Sequence, residues 1–323
     1  MTEMIAAADL RKSFRARRGE VEAVRGIGFA VHSGEIFGFL GPNGAGKTTT
    51  LRMLATLLPI DSGTAAVAGF DVAREPGEVR ARIGYVSQLG GADDLATGRE
   101  NLVLQGRLYG GTRDEVSARV EELLALLDLA GFADRRVRTY SGGQRRRLDV
   151  ALGIVHEPGV LFLDEPTTGL DPQNRANLWE HLRVLRDRGT TIFLTTHYLE
   201  EADALCDRVM IIDHGLIVAD GTPRELKREV VGDSVVLHVA DRAAERAREL
   251  LAGAAFVGEV GAADEDGQVR CYVGDGPAAL PEILRLPDAG GVGLRAISLS
   301  EPTLDDVFLA KTGRSLRDTG VSA

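Results

Sequence analysis

Residues 41–50 read GPNGAGKTTT and directly follow the apolar run EIFGFL at 35–40. Glycine and threonine at this density build neither a good strand nor a good helix start. Residues 41–48 fit the pattern G-x-x-x-x-G-K-[ST]. EIFGFL has the look of a buried strand, and LRMLATLL at 51–58 has helical spacing, so the pattern lies between a strand and a helix. In that context Gly44 and Gly46 let the backbone curl until successive N–H groups point at phosphate oxygens. A helix starting near Lys47 adds its positive end. Lys47 is placed to reach β- and γ-phosphates, and the Thr48 hydroxyl to ligate Mg²⁺. Gly41, Pro42, Asn43, Ala45 and Thr49 complete the expected nucleotide-binding stretch. The competing reading is a glycine-rich turn that matches by chance.

Further along, VLFLDEP at 160–166 places four apolar residues before two carboxylates. A buried strand ending in Asp164 brings a carboxylate beside the phosphate loop, where it holds Mg²⁺ through water. Glu165 is then placed to polarise an attacking water as general base. The bland alternative is a solvated strand end. Between the two motifs, TYSGGQRRRLDVALGIVHEP at 139–158 contains Ser141, Gly142, Gly143 and Gln144 at a helix start. These residues read either as a second anion site, with a hydroxyl and bare N–H groups, or as an ordinary helix cap with a flexible turn.

The chain as a whole is acidic, with 38 basic against 48 acidic residues and a formal net charge of −10. That balance argues against non-specific nucleic-acid binding, which needs an excess of Lys and Arg. Basic clusters at Arg11–Arg18 and Arg145–Arg147 remain, the first read as a solvated face. Cys206 and Cys271 are far apart and make no zinc or disulfide pattern, so each is expected to be a small buried hydrophobe. The N-terminal stretch lacks the charge pattern of a secretion signal. No uncharged run approaches the roughly 18 apolar residues needed to cross a bilayer.

A phosphate loop, then Gln88 in IGYVSQ, then SGGQ, then LFLDEPTTGLDP at 161–172, then His197 in TTH resembles the nucleotide-binding domain of ABC transporters. The order and spacing cover residues 4 to about 230. The resemblance implies an α/β P-loop NTPase fold and an ATPase using Mg²⁺. It implies that Gln88 senses the metal and couples to a membrane partner. Ser141 to Gln144 would bind the γ-phosphate of an ATP held by a second copy, Asp171 would cross that dimer interface, and His197 would contact the γ-phosphate. A separate integral membrane permease and a peripheral place on the cytoplasmic face follow from the same likeness. Two departures stand out: Tyr140 replaces the usual Leu before SGGQ, and the only aromatic residue available to stack on adenine is Phe14, which also reads as a core residue.

Short β-like runs in 1–40 and 64–86, a helical insertion at about 89–156 and alternating elements from 160 to 220 predict a mostly parallel sheet. In the insertion, Leu102, Leu104, Leu108, Leu123, Leu124 and Leu127 form an apolar stripe. Two thirds of it is expected to pack within the insertion and the rest to meet the permease. Gly90 and Gly91 are expected to give the segment after Gln88 hinge freedom. After residue 228 the pattern changes to a small α/β accessory unit, 229–323, without a phosphate loop. Its segment EPTLDDVFLAKTG at 301–313 resembles the tail of daunorubicin-resistance-type exporter ATPases. The expected function is therefore the ATPase of an exporter of a drug or lipid-like compound. An importer ATPase with a regulatory domain and a soluble ABC-type factor are the alternatives.

Overall fold

The computed structural model describes residues 2–16, 19–229, 232–240, 243–261, 267–300 and 302–313. The chain divides into two compact units between Pro223 and Arg224.

The first unit opens with two 14-residue strands, β1 (Glu3–Ala16) and β2 (Gly19–His32), paired antiparallel. The sequence suggested only short runs here. Pairing gives their half-polar residues a solvated face, which short buried runs do not require. β3 (Ile36–Leu40) precedes the glycine loop, and α1 (Lys47–Leu54) follows it. Then come β4 (Ser62–Val67), β5 (Phe70–Asp71), α2 (Pro76–Arg80) and β6 (Ile83–Val86). The helical stretch consists of α3 (Gly98–Leu108), α4 (Arg113–Leu126) and α5 (Gly142–Ile154). Next follow β7 (Val160–Asp164), α6 (Pro172–Asp187), β8 (Thr191–Thr196), α7 (Leu199–Leu205), β9 (Arg208–Asp213) and β10 (Leu216–Gly221).

Two sheets result. One has the order β10-β9-β3-β8-β7-β6 and is parallel except for the β9–β10 hairpin. Its strands β3, β7 and β8 are buried along their whole length, as strands covered on both faces must be. The other, order β2-β1-β4-β5, is antiparallel. Phe29 of β2 joins them by packing on Phe37, Phe39 and Phe193 at ring-centroid distances of 5.9, 5.8 and 6.0 Å. Gly38 in β3 leaves room for the buried Cys206 sulfur, which a Cβ would meet at 2.5 Å.

α3 and α4 each begin with a complete capping box, Thr97 with Glu100 and Thr112 with Glu115. Of the six leucines in the expected stripe, Leu102, Leu123, Leu124 and Leu127 are fully buried, while Leu104 and Leu108 are 59% and 72% exposed. The hinge expectation is corrected. Gly90 N–H donates to Ser87 O at 3.1 Å, Ser87 Oγ returns a bond to Gly90 O, and Gly91 N–H donates to Asp149 Oδ1 at 3.0 Å. Gly90, at φ +77°, sits where any Cβ would strike the Asp149 carboxylate. Its freedom closes a tight turn instead of a hinge.

The second unit begins with α8 (from Arg224 to Glu229 within it; the helix runs Pro223–Glu229). β11 (Asp233–Val239), α9 (Ala244–Ala252), β12 (Val257–Val260), β13 (Gln268–Val273), α10 (Gly276–Ala289), β14 (Leu294–Ser300) and α11 (Leu304–Thr312) follow. The sheet is antiparallel with order β12-β13-β11-β14, a split βαβ arrangement. The short β12 was not legible in the sequence. The core is Val235, Leu237, Val239, Ala247, Leu251, Val269, Cys271, Val273 and Ile283. Asp306 of α11, 4% exposed, accepts from Arg270 at 3.2 Å and Tyr272 at 3.0 Å on β13.

Candidate nucleotide site

The loop 41–46 turns where its glycines permit it. Gly46 caps α1 at φ +108°, and a Cβ there would come within 2.4 Å of Ala23 O, so only glycine fits. Ala45 is buried beneath the loop, and its carbonyl accepts from Gly215 N–H at 3.0 Å. Lys47, 4% exposed, donates from Nζ to the carbonyls of Gly41 at 2.7 Å and Pro42 at 3.0 Å. Gly41 and Pro42 thus hold the lysine and do not line the cavity themselves.

A cavity of about 690 Å³ lies over this loop, lined by Phe14, Ala23, Asn43, Gly44, Gly46, Lys47, Thr48, Thr49, Gln88, Glu165, Thr168 and His197. Its members come from β1, β2, the loop and start of α1, the turn after β6, the loop after β7 and the residue after β8. Parallel strand order puts these C-terminal strand ends side by side, at the edge where such sheets bind ligands. Phe14 is 42% exposed at the cavity rim, so it is not a core residue.

Below the cavity floor, Thr48 Oγ1 donates to Asp164 Oδ1 at 2.9 Å, and Thr195 Oγ1 donates to the same oxygen at 2.7 Å. A hydroxyl and a carboxylate side by side are the hard oxygen donors that Mg²⁺ prefers. Among the described residues no cluster of three His, Cys, Asp or Glu competes for a softer metal. Glu165 adopts φ +46°, a left-handed conformation uncommon for a non-glycine residue. Its N–H donates to both the carbonyl and the hydroxyl of Thr195, at 3.1 and 3.0 Å. The carboxylate stands 3.5 Å from Lys47 Nζ and 3.2 Å from His197 Nδ1, and accepts from Gln88 Nε2 at 3.3 Å. Burial raises its pKa, but His197 and Lys47 outweigh burial and hold it below the ordinary value. Burial pulls the Lys47 ammonium down against the attraction of Glu165.

Three residues here were not legible as site residues in the sequence. Thr195 bridges the two carboxylate residues. Thr168 lines the cavity and donates to Glu165 Oε2 at 3.3 Å. Arg146, 6% exposed, donates to the carbonyls of Pro166 at 2.6 Å, Ser87 at 2.7 Å and Asp164 at 3.2 Å. It braces the turn before Gln88 against the end of β7. Its place in the run RRR hid this, since the run alternates between solvent and core.

Ser141, Gly142, Gly143 and Gln144 do not line the cavity. Ser141 caps α5 and exchanges hydrogen bonds with Gln144 in a capping box. Ser141 and Gly142 are exposed. Asp171 caps α6 and binds Asn174, whose side chain lies against Gly143. The Tyr140 hydroxyl donates to Phe132 O at 2.8 Å, well clear of the helix start.

A glycine loop holding its own lysine, strand-end carboxylates and a capped second glycine motif outside the cavity define the cassette class of P-loop ATPase. The chain belongs to the ATP-binding subunits of ABC transporters, and it is an ATPase coupled to transport. The ABC transporter family pattern matches residues 24–168. A second pattern, described as the C-terminal domain of DrrA1-3-like ATP-binding proteins, matches 221–312. The chain is 48% identical to the daunorubicin resistance ATP-binding protein DrrA2 of Streptomyces coeruleorubidus, over 95% of this chain and 96% of that one. It is 43% identical to the daunorubicin/doxorubicin resistance ATP-binding protein DrrA of Streptomyces peucetius, over 98% and 94%. It is 42% identical to the Nod factor export ATP-binding protein I of Burkholderia lata, over 97% and 99%. Among solved structures, cbiO1 from Clostridium perfringens, part of an ABC transporter complex, matches with TM-score 0.63 and 26% identity, over 71% of this chain and 95% of that one. A dimeric ATP-binding cassette, MJ0796, bound to ADP and Pi matches with TM-score 0.63 and 23% identity, over 68% and 98%.

Proposed function

We propose that this chain drives efflux of a drug-like or lipid-like hydrophobic compound through a separate membrane permease, from the cytoplasmic face of the membrane. The observation that carries the reading is likeness along the whole chain, second unit included, to proteins named for daunorubicin resistance. Among the described residues no helix is long and apolar enough to cross a membrane, which supports a permease on another chain.

In this reading ATP lies in the 690 Å³ cavity with its base against Phe14. Lys47 and the N–H groups of the 41–49 loop take the β- and γ-phosphates. Thr48, Asp164 and Gln88 would hold Mg²⁺, which when bound offsets phosphate charge. Glu165 accepts a proton from the water that attacks the γ-phosphorus as the bond to the ADP oxygen breaks. His197 orients Glu165 and the γ-phosphate. Ser141 to Gln144 serve the ATP of a second copy, with Asp171 at the interface; the exposure of Ser141 and Gly142 outside the chain's own cavity supports this. Residues 229–323 brace or regulate that dimer and take no part in the chemistry.

The permease docks on the helical insertion. A groove of about 340 Å³ beside the Gln88 turn is lined by Leu57, Tyr85, Gln105 and Tyr109, among others. Leu57, Leu89, Leu104 and Leu108 are each more than half exposed around the same region. Co-expression with its membrane permease should raise the daunorubicin tolerance of a sensitive host, and Lys47→Ala should abolish the gain. Tolerance that persists in the Lys47→Ala chain rules the reading out.

A further inference from the structure

Glu201 of α7 is 0% exposed, and none of the steps above uses it. Carboxyl groups are almost never fully buried unless partnered. Its Oε1 accepts from Trp179 Nε1 of α6 at 3.1 Å. The Thr196 and Thr167 side chains lie beside its carboxylate. Both threonines are themselves buried, at 1% and 0% exposure. Glu201 Oε2 and Thr167 Oγ1 are each enclosed, and neither makes a hydrogen bond of good geometry among the described residues.

These neighbours belong to the segments that carry the chemistry. Thr196 ends β8, and the next residue is His197. Thr167 lies two residues after Glu165, in the loop that leads to Asp171. Trp179 stands on α6, the helix that Asp171 caps. One buried side chain therefore touches the supports of Glu165, His197 and Asp171 at once. An aliphatic residue would fill the same space, leave the indole N–H without an acceptor and remove the polar neighbour of the two hydroxyls.

We propose that Glu201 is a positioning residue for ATP hydrolysis: through Thr196, Thr167 and Trp179 it sets His197 and the 166–171 loop in register with Glu165. The role rests on the reading that Glu165 and His197 act on the γ-phosphate. Burial pushes the Glu201 carboxyl up from its ordinary value, so glutamine, neutral and of the same shape, is the conservative replacement.

The test uses the full-length chain, steady-state ATPase kinetics and intrinsic fluorescence. Trp179 is the only tryptophan of the chain, so its emission reports on the Glu201 contact directly. Glu201→Ala should lower kcat by about 10- to 100-fold while KM for ATP stays within about twofold, since displacing positioned groups by an ångström costs up to about 10²-fold. Its emission should shift. Glu201→Gln should keep both kcat and emission near wild type. Thr167→Val, which exchanges a hydroxyl for a methyl at equal volume, covers the case in which the alanine chain does not fold. It should lower kcat several-fold with the emission unchanged. Wild-type kcat in folded Glu201→Ala or in Thr167→Val overturns the role, as does an equal loss in the alanine and glutamine chains. Glu165→Gln, run alongside, separates the two failures. If it hydrolyses ATP normally, the assignment of the base falls and the positioning role with it. If it is inactive while Glu201→Ala is active, the positioning role alone falls.

Discussion

Lys47, buried, and Glu165, partly buried, stand 3.5 Å apart in the cavity, each shifting the other's charge balance. Glu165→Gln keeps the shape and removes the proposed proton acceptor. Turnover should fall by about 10²- to 10⁴-fold with ATP still bound, and the ATP-bound chain should run as a dimer in light scattering. A Glu165→Gln chain with normal turnover contradicts the assignment. The same carboxylate has a signature in acid. Its folded value lies below the ordinary 4.5, so the folded chain binds fewer protons there than the unfolded chain. The stability it contributes is fully present above 4.5 and is lost as pH falls through the lowered folded value. The difference in Tm between wild type and Glu165→Gln should be constant above 4.5 and shift below it. A difference independent of pH down to acid unfolding would show that Lys47 and His197 do not stabilise the carboxylate.

Helix starts decide the next level. α5 opens on a capping box in which Ser141 accepts from the Gln144 N–H, and Ser141 and Gly142 are exposed outside the lining of the chain's own cavity. Ser141→Arg adds bulk and charge at that face. It should leave ATP binding by the isolated chain nearly intact and prevent closure of the dimer. A matching loss of ATP affinity, measured by nucleotide titration, is the result a composite site does not allow. The turn after Gln88 is held from α5 by Asp149, a carboxyl that burial raises against the pull of its Gly91 hydrogen bond. Asp149→Ala removes the acceptor, costing about 1 kcal/mol, and should speed amide exchange at Gly91. Unchanged exchange there would mean that other contacts hold the turn.

At the level of the whole chain, each unit has its own core and its own sheets. The cavity is lined from residues 14 to 197 alone. A chain ending at Lys227 should therefore bind ATP as tightly as the full chain, and dimerise or couple to the permease poorly. Loss of ATP affinity in that folded shorter chain would mean that the second unit completes the site.

What the sequence by itself determined lies within short contiguous stretches. The loop 41–48 carries its own geometry, because glycine φ values, a helix start and a lysine within six residues of its carbonyl partners need nothing distant. The buried strands β3 and β7 were legible as apolar runs and β8 as the β-rich run TTIFLTT, and a helix start was legible at Ser141. Only the tertiary structure decided which of these meet. Thr48 reaches Asp164 across 116 residues and the Glu165 N–H donates to Thr195 across 30, because a parallel sheet aligns strand ends irrespective of their order in the chain. It also decided against the expected hinge. Gly90 looks free in sequence, but the carboxylate that leaves room for no Cβ arrives from α5, 59 residues later. Arg146 and Glu201 were hidden for the same reason: a charged residue reads as solvated until the fold closes over it and supplies its partners.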